Sequence, residues 1–242
     1  MKNEIINISN LSLGFKEAIF KDINAQIQKG SLNCLVGING VGKSCFLKTL
    51  CSLLPKISGE IKINNKSIEN YSSIDLAKIL AVVLTEKIHV DYMSVKELVL
   101  LGRSPFTNWS GALCLEDHKI ADQVMRQVGI FELRSFFFSE LSDGQKQKAL
   151  IARALAQKPK ILILDEPTTF LDIPSKIDLI RLLKKISVED HVAVLMSTHD
   201  LELVKSFADQ VFLMGNDGSF QGGSPEQLDS SGQFQKHFYF NN

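Results

Sequence analysis

The chain has 242 residues, 45% of them apolar and 22% charged, a balance that fits an ordered globular unit and excludes intrinsic disorder. Lys plus Arg and Asp plus Glu each number 27, so the formal net charge is zero and the broad basic footprint of a nucleic-acid binder is absent. No apolar run approaches the ~18 residues that span a bilayer, and the opening MKNEIINISN has no apolar signal core. A cytoplasmic chain is expected, held at a membrane only by a partner. The four cysteines, Cys34, Cys45, Cys51 and Cys114, form no C-x-x-C pair, so ordinary thiols are expected in place of a zinc site or disulfides.

Ile5, Ile8, Leu11 and Leu13 open a β segment that continues past Phe15 to Ile27 and breaks at Lys29-Gly30. Leu32–Val36 is a short apolar strand, followed at once by glycines. Helical spacing of Phe46, Leu47, Leu50, Leu53 and Leu54 predicts a helix over Cys45–Leu54, stopped by Pro55. Gly59–Asn65 alternates as a strand, and Ala77–Leu84 reads as a buried one. From residue 86 to about 140 the pattern becomes helical, at Val95–Gly102 and Glu116–Val128, with aromatic loops between. This predicts a helical lobe, 86–140, inserted within one unit that spans 1–242. Strands at Ile161–Leu164, Val192–Met196 and Val211–Met214 then alternate with helices at Gly144–Gln157, Pro174–Ile186 and Leu201–Ala208. That alternation predicts a parallel sheet covered on both faces. The turn Asn216-Asp217-Gly218 follows the last of these strands.

Gly37-Ile38-Asn39-Gly40-Val41-Gly42-Lys43-Ser44 fits G-x-x-x-x-G-K-[ST] and lies between a predicted strand and a predicted helix. Glycines let the backbone curl around a phosphate with its N–H groups turned inward. The helix start adds partial positive charge. Lys43 can reach the terminal phosphates, and the Ser44 hydroxyl can hold Mg²⁺. ATP or GTP binding follows. Ile161–Leu164 runs into Asp165-Glu166, placing two carboxylates where ligands bind in open α/β sheets. Asp165 would hold Mg²⁺ through water, and Glu166 would orient or deprotonate the attacking water. Leu141-Ser142-Asp143-Gly144-Gln145 precedes a helix and offers a second anion site.

The ordered set GINGVGKS, LSDGQ, ILILDEP, FLD and STHD resembles the nucleotide-binding subunits of ABC transporters over essentially the whole chain. The resemblance implies a P-loop NTPase core: a parallel sheet flanked by helices, with an N-terminal antiparallel β part and the inserted helical lobe. It also implies roles. Phe15 would stack on adenine. Gly37, Asn39, Gly40, Gly42, Lys43, Ser44 and Cys45 would take the phosphates. Asp172 matches the loop that crosses between two copies, and His199 matches the switch histidine at the γ-phosphate. Two copies would face head to tail as an ATP-bound homodimer, with Ser142, Gly144 and Gln145 of one closing on ATP held by the other. Hydrolysis of ATP with Mg²⁺, by Glu166, His199 and Lys43, would reopen the pair.

Three departures stand out. Thr85-Glu86 replaces the usual Gln, and Glu86 could supply an oxygen ligand to Mg²⁺. Cys45 replaces a Thr, and a thiol at a helix start beside phosphates should have a lowered pKa and be blocked by thiol reagents. LSDGQ replaces LSGGQ, so the Asp143 side chain should point away from the phosphates.

Residues 95–117, VKELVLLGRSPFTNWSGALCLED, resemble the ATPases of importers for iron–siderophore complexes, haem and cobalamin. This implies integral-membrane permease subunits as partners, met by Pro105, Phe106, Trp109 and the loop from Ile88 to Met93. A substrate-binding protein would act only indirectly, and no nucleic acid is implied. Phe136-Phe137-Phe138 reads as a core or lobe-packing cluster. A soluble, non-transport ABC ATPase and the ATPase of an exporter are the alternatives.

Overall fold

The computed structural model describes residues 4–14, 17–85 and 90–238. In chain order the elements are β1 (Glu4–Gly14), β2 (Ala18–Gln28), β3 (Leu32–Val36), α1 (Lys43–Leu50), β4 (Ser58–Ile63), β5 (Lys66–Ser67), α2 (Ser73–Ala77) and β6 (Leu80–Val83). Next come α3 (Val95–Leu100), α4 (Leu115–Gln127), α5 (Asp143–Ala156), β7 (Ile161–Leu164) and α6 (Ile173–Glu189). The chain ends through β8 (Ala193–Thr198), α7 (Leu201–Phe207), β9 (Gln210–Met214), β10 (Phe220–Gly223), α8 (Pro225–Ser230) and α9 (Gln233–Phe238).

One sheet is antiparallel, in the order β2-β1-β4-β5; the other runs β10-β9-β3-β8-β7-β6 and is parallel except for β10. Period-two geometry divides each central strand between two cores. Cys34 and Val36, Leu162 and Leu164, Val194 and Met196, and Val211 and Leu213 face the helices α3–α6. Leu35, Ile161 and Ile163, Ala193 and Leu195, and Phe212 and Met214 face α1 and the antiparallel sheet. A continuous apolar run such as ILIL is therefore required, because both of its faces are buried. Each such Leu or Ile contributes about 1.5–3 kcal/mol by leaving water.

The chain expected as one β segment from Ile5 to Ile27 is an antiparallel pair, β1 and β2. Helix α1 stops four residues short of Leu54, since Ser52 turns left-handed (φ 55°) and leaves Leu53 exposed. The expected strand at Ala77–Leu84 begins only at Leu80. Ala77 belongs to α2, which the Ser72 hydroxyl caps by accepting from Asp75 N at 3.1 Å. Of the three consecutive phenylalanines only Phe138 enters the core. Phe136 and Phe137 are exposed, which corrects the packing-cluster reading.

Between β6 and β7 the chain folds as α3, a 3₁₀ turn (Leu101–Phe106), α4 and α5, which share one apolar cluster with the parallel sheet. A buried ion pair ties these pieces together. Arg103 Nε donates to Asp117 Oδ1 at 2.8 Å, Arg103 Nη1 donates to Ala156 O at 2.7 Å, and the guanidinium lies 4.0 Å from the Phe106 ring centroid. The Arg103 bond, helped by the Cys114 N–H, holds the Asp117 carboxyl down to about 2. A depressed carboxylate stabilises the fold above its unfolded value and loses that effect as pH falls through its folded value. Asp117→Ala is expected to cost about 3 kcal/mol at pH 7 by stranding Arg103. In thermal melts the gap between parent and variant should close as pH drops from about 4 toward 2.

Candidate functional site

Registers of the parallel sheet bring the carboxyl ends of four strands to one edge: Val36 pairs with Thr198, Leu164 with Met196, and Val83 with Leu164. At this edge β3 runs into Gly37–Gly42 and α1. Gly40 (φ 81°) and Gly42 (φ 117°) adopt the left-handed backbone that side chains resist. A Cβ at Gly37 would lie 2.8 Å from Met214 O, so the loop passes tightly over β9. No side chain caps the start of α1, which leaves its first turn open to an anion.

Lys43 is almost wholly buried, and its Nζ donates to Gly37 O (2.8 Å) and Ile38 O (3.2 Å). The same ammonium lies 3.3 Å from Glu166 Oε1. Asp165 and Glu166 follow β7 directly, Glu166 has a left-handed backbone (φ 46°), and both residues line the same cleft. Thr169 Oγ1 donates to Glu166 Oε2 at 3.2 Å. Asn39, Gly40, Ser44, Lys48, Thr85, Asp165 and Glu166 line an open cleft of about 340 Å³.

These residues fit a nucleotide triphosphate with Mg²⁺. The Ser44 hydroxyl and the Asp165 carboxylate are hard oxygen donors on one cleft, suited to Mg²⁺ that takes its remaining ligands from phosphates and water. Among the described residues no group of three or more His, Cys, Asp or Glu forms a metal centre of its own.

Ser142 caps α5: its hydroxyl accepts from Gln145 N (3.4 Å), while Gln145 Oε1 accepts from Ser142 N (3.0 Å). The Ser142 hydroxyl proton stays available to an anion. Ser142, Gly144 and Gln145 share a recess of about 150 Å³ with Leu171 and Ser175. Asp143 lines a different cavity, between the helices and Glu166. Asp172 caps α6 by accepting from Ser175 N at 3.0 Å, and the Ser175 side chain, with this N–H, holds its carboxyl below the ordinary range. His199 is exposed at the end of β8, beside the strand that feeds the phosphate loop.

Phe15 and Glu86 lie outside the described residues, as do Ile88 and His89 of the expected permease loop. The expectation for Cys45 is corrected. Its side chain packs in the core with Phe46 and Leu47, and burial pushes the thiol pKa up. The exposed thiol is that of Cys114.

Sequence reasoning missed Ser197. It is fully buried near the end of β8; its Oγ accepts from Glu166 N (2.7 Å) and donates to Asp165 Oδ1 (2.7 Å). The only signal was a pair of hydroxyl residues closing an apolar strand.

A family model for ABC transporters matches residues 20–169. An uncharacterized ABC transporter ATP-binding protein of Methanocaldococcus jannaschii is 41% identical over 225 residues, 93% of this chain and 78% of that protein. An iron(3+)-hydroxamate import ATP-binding protein of Bacillus subtilis is 34% identical, over 84% of this chain and 76% of its own length. Among solved structures, a chain from an inward-facing ABC transporter assigned to the metal-chelate type superposes with a TM-score of 0.87 at 27% identity, covering 98% of this chain and 90% of that one. The chain therefore belongs to the ABC transporter family, as one of its ATP-binding, ATP-hydrolysing subunits.

Proposed function

We propose that this subunit powers import of an iron chelate or a related metal chelate. The observation that carries its motor role is the cleft lined by Ser44, Asp165 and Glu166 at the ends of β3 and β7, with the Lys43 ammonium 3.3 Å from Glu166. Lys43 and the loop N–H groups hold the β- and γ-phosphates. Ser44 and Asp165 hold Mg²⁺, which when bound offsets phosphate charge. Glu166 accepts the proton of the attacking water, and His199 contacts the γ-phosphate. A second copy supplies Ser142 and Gly144 from across the interface, and Asp172 stands beside that seam. The pair closes on ATP and reopens on hydrolysis.

The cargo class is supported by the iron-hydroxamate import relative and the metal-chelate structural neighbour. The described part of the expected helical lobe, residues 90–140, is the part that would meet the permease. There, Trp109 is 99% exposed and Tyr92 88%, with Phe106 and Leu115 also exposed. Aromatic side chains this bare fit a partner's apolar surface. Among the described residues no helix is long and apolar enough to cross a membrane, so the permease would hold the subunit at the cytoplasmic face.

The test is a pull-down from detergent-solubilised membranes, with mass spectrometry of what co-purifies. A polytopic protein should co-purify with the parent chain, and far less of it with the Phe106→Ala, Trp109→Ala double variant. Soluble partners alone, with the chain absent from membranes, would sink the importer reading and leave the ATPase standing.

A further inference from the structure

The peptide unit joining Asp165 to Glu166 is held from both sides. Its carbonyl, Asp165 O, accepts from Thr85 Oγ1 at 2.9 Å. Its N–H, on Glu166, donates to Ser197 Oγ at 2.7 Å. With that lone pair occupied, the Ser197 proton has a fixed direction, onto Asp165 Oδ1 at 2.7 Å. Thr85 comes from the end of β6 and Ser197 from β8, the two strands that flank β7. The clamped unit leads into Glu166, whose left-handed backbone is unfavourable for a residue with a side chain. Ser197 has no exposed surface and Asp165 almost none, so water does not stand in for a lost Ser197 hydroxyl, whereas Thr85 is exposed on the cleft and its loss is partly made good by water.

We propose that Thr85 and Ser197 are positioning residues for the Mg²⁺ site. Ser197 fixes the rotamer of the Asp165 carboxylate, and both hydroxyls together fix the peptide plane that aims Asp165 and Glu166 into the cleft. This rests on the reading of Asp165 as the Mg²⁺ carboxylate. It also gives Thr85 a purpose of its own. A side chain this short, already donating to Asp165 O, acts on the site through the backbone.

The readout is equilibrium binding of a fluorescent ATP analogue, first in EDTA and then across a Mg²⁺ titration. Ser197→Ala should leave metal-free affinity within about twofold of the parent and raise the half-saturating Mg²⁺ concentration about tenfold, the ratio that losing one hydrogen bond to a charged group gives. Thr85→Val should raise it less, and Thr85→Ser should restore it. The double variant should fall short of the product of the single effects, because both act on one peptide unit. In ATP titrations at a fixed, limiting Mg²⁺ concentration, kcat should fall while KM for ATP holds. Asp165→Asn separates the two claims. If it raises the Mg²⁺ requirement while Ser197→Ala and Thr85→Val leave it unchanged, the clamp is overturned and the Asp165 assignment survives. If Asp165→Asn itself changes nothing, the Mg²⁺ assignment fails and the clamp's purpose with it. Should Ser197→Ala melt too low to assay, Thr85→Val with its Ser rescue decides the matter alone.

Discussion

Glu166→Gln should lower ATP turnover by about a thousandfold while leaving nucleotide binding intact. Glutamine keeps the shape of glutamate and one carbonyl oxygen. That oxygen can keep the acceptor role toward Lys43 Nζ, 3.3 Å from Oε1, while the amide NH2 takes the Oε2 position and donates to Thr169 Oγ1, whose hydroxyl turns to accept. The left-handed backbone at Glu166 is unaffected by an isostere. What disappears is the capacity to take a proton from the attacking water, a contribution of roughly 10²–10⁴ in rate. Binding rests on Lys43, Ser44 and the loop backbone, none of which the substitution removes; Lys43 loses only the negative charge of its neighbour. If two copies close around ATP, blocked hydrolysis should hold them closed, and light scattering with ATP should report a mass near twice the monomer. Turnover within a few fold of the parent would show that the base lies elsewhere. Turnover lost together with binding would point to a collapsed cleft.

The parts of this molecule legible in the sequence are those where one residue type has one physical use. Ile161–Leu164 carries its own boundaries, because a doubly buried strand must be apolar throughout and the carboxylates must stop it. The glycine spacing before Lys43 announces a left-handed loop, which Gly40 and Gly42 supply. Less legible is anything decided by rotation about a helix axis. Ser44 and Cys45 are neighbours in sequence, yet about 100° of helical turn sends Ser44 to the cleft and Cys45 into the core. A reactive thiol was expected on proximity alone, and burial pushes its pKa the other way. The elements after Met214 lacked a strong period: β10 holds Gly222 and Gly223, and α8 and α9 are short. Nor does the sequence disclose contacts between distant strands. Nothing in Ser197-Thr198-His199-Asp200 indicates that Ser197 reaches back to a peptide at 165–166.

Lys43→Ala should weaken ATP binding by about a hundredfold, the ratio expected when charge-assisted hydrogen bonds to phosphate are lost. The ammonium is already desolvated, and two of its neighbours are carbonyls of the loop it braces. Alanine would remove the group that meets the phosphates and also release Gly37 O and Ile38 O. It would leave Glu166 without its 3.3 Å cation partner in the cleft. A lone carboxylate there repels incoming phosphate, so the loss should exceed that of the contact alone. Lys43→Arg makes a useful comparison. It keeps the charge but brings a wider, planar head into a nearly closed space, so it should also bind poorly. Combining Lys43→Ala with Glu166→Gln should recover part of the affinity, because the uncompensated charge is then gone. Isothermal titration with ATP and Mg²⁺ would measure all of these. If the single alanine variant bound ATP as the parent does, the phosphate loop would be holding its ligand through the backbone and helix start alone, and Lys43 would serve chiefly to brace the loop and pair with Glu166.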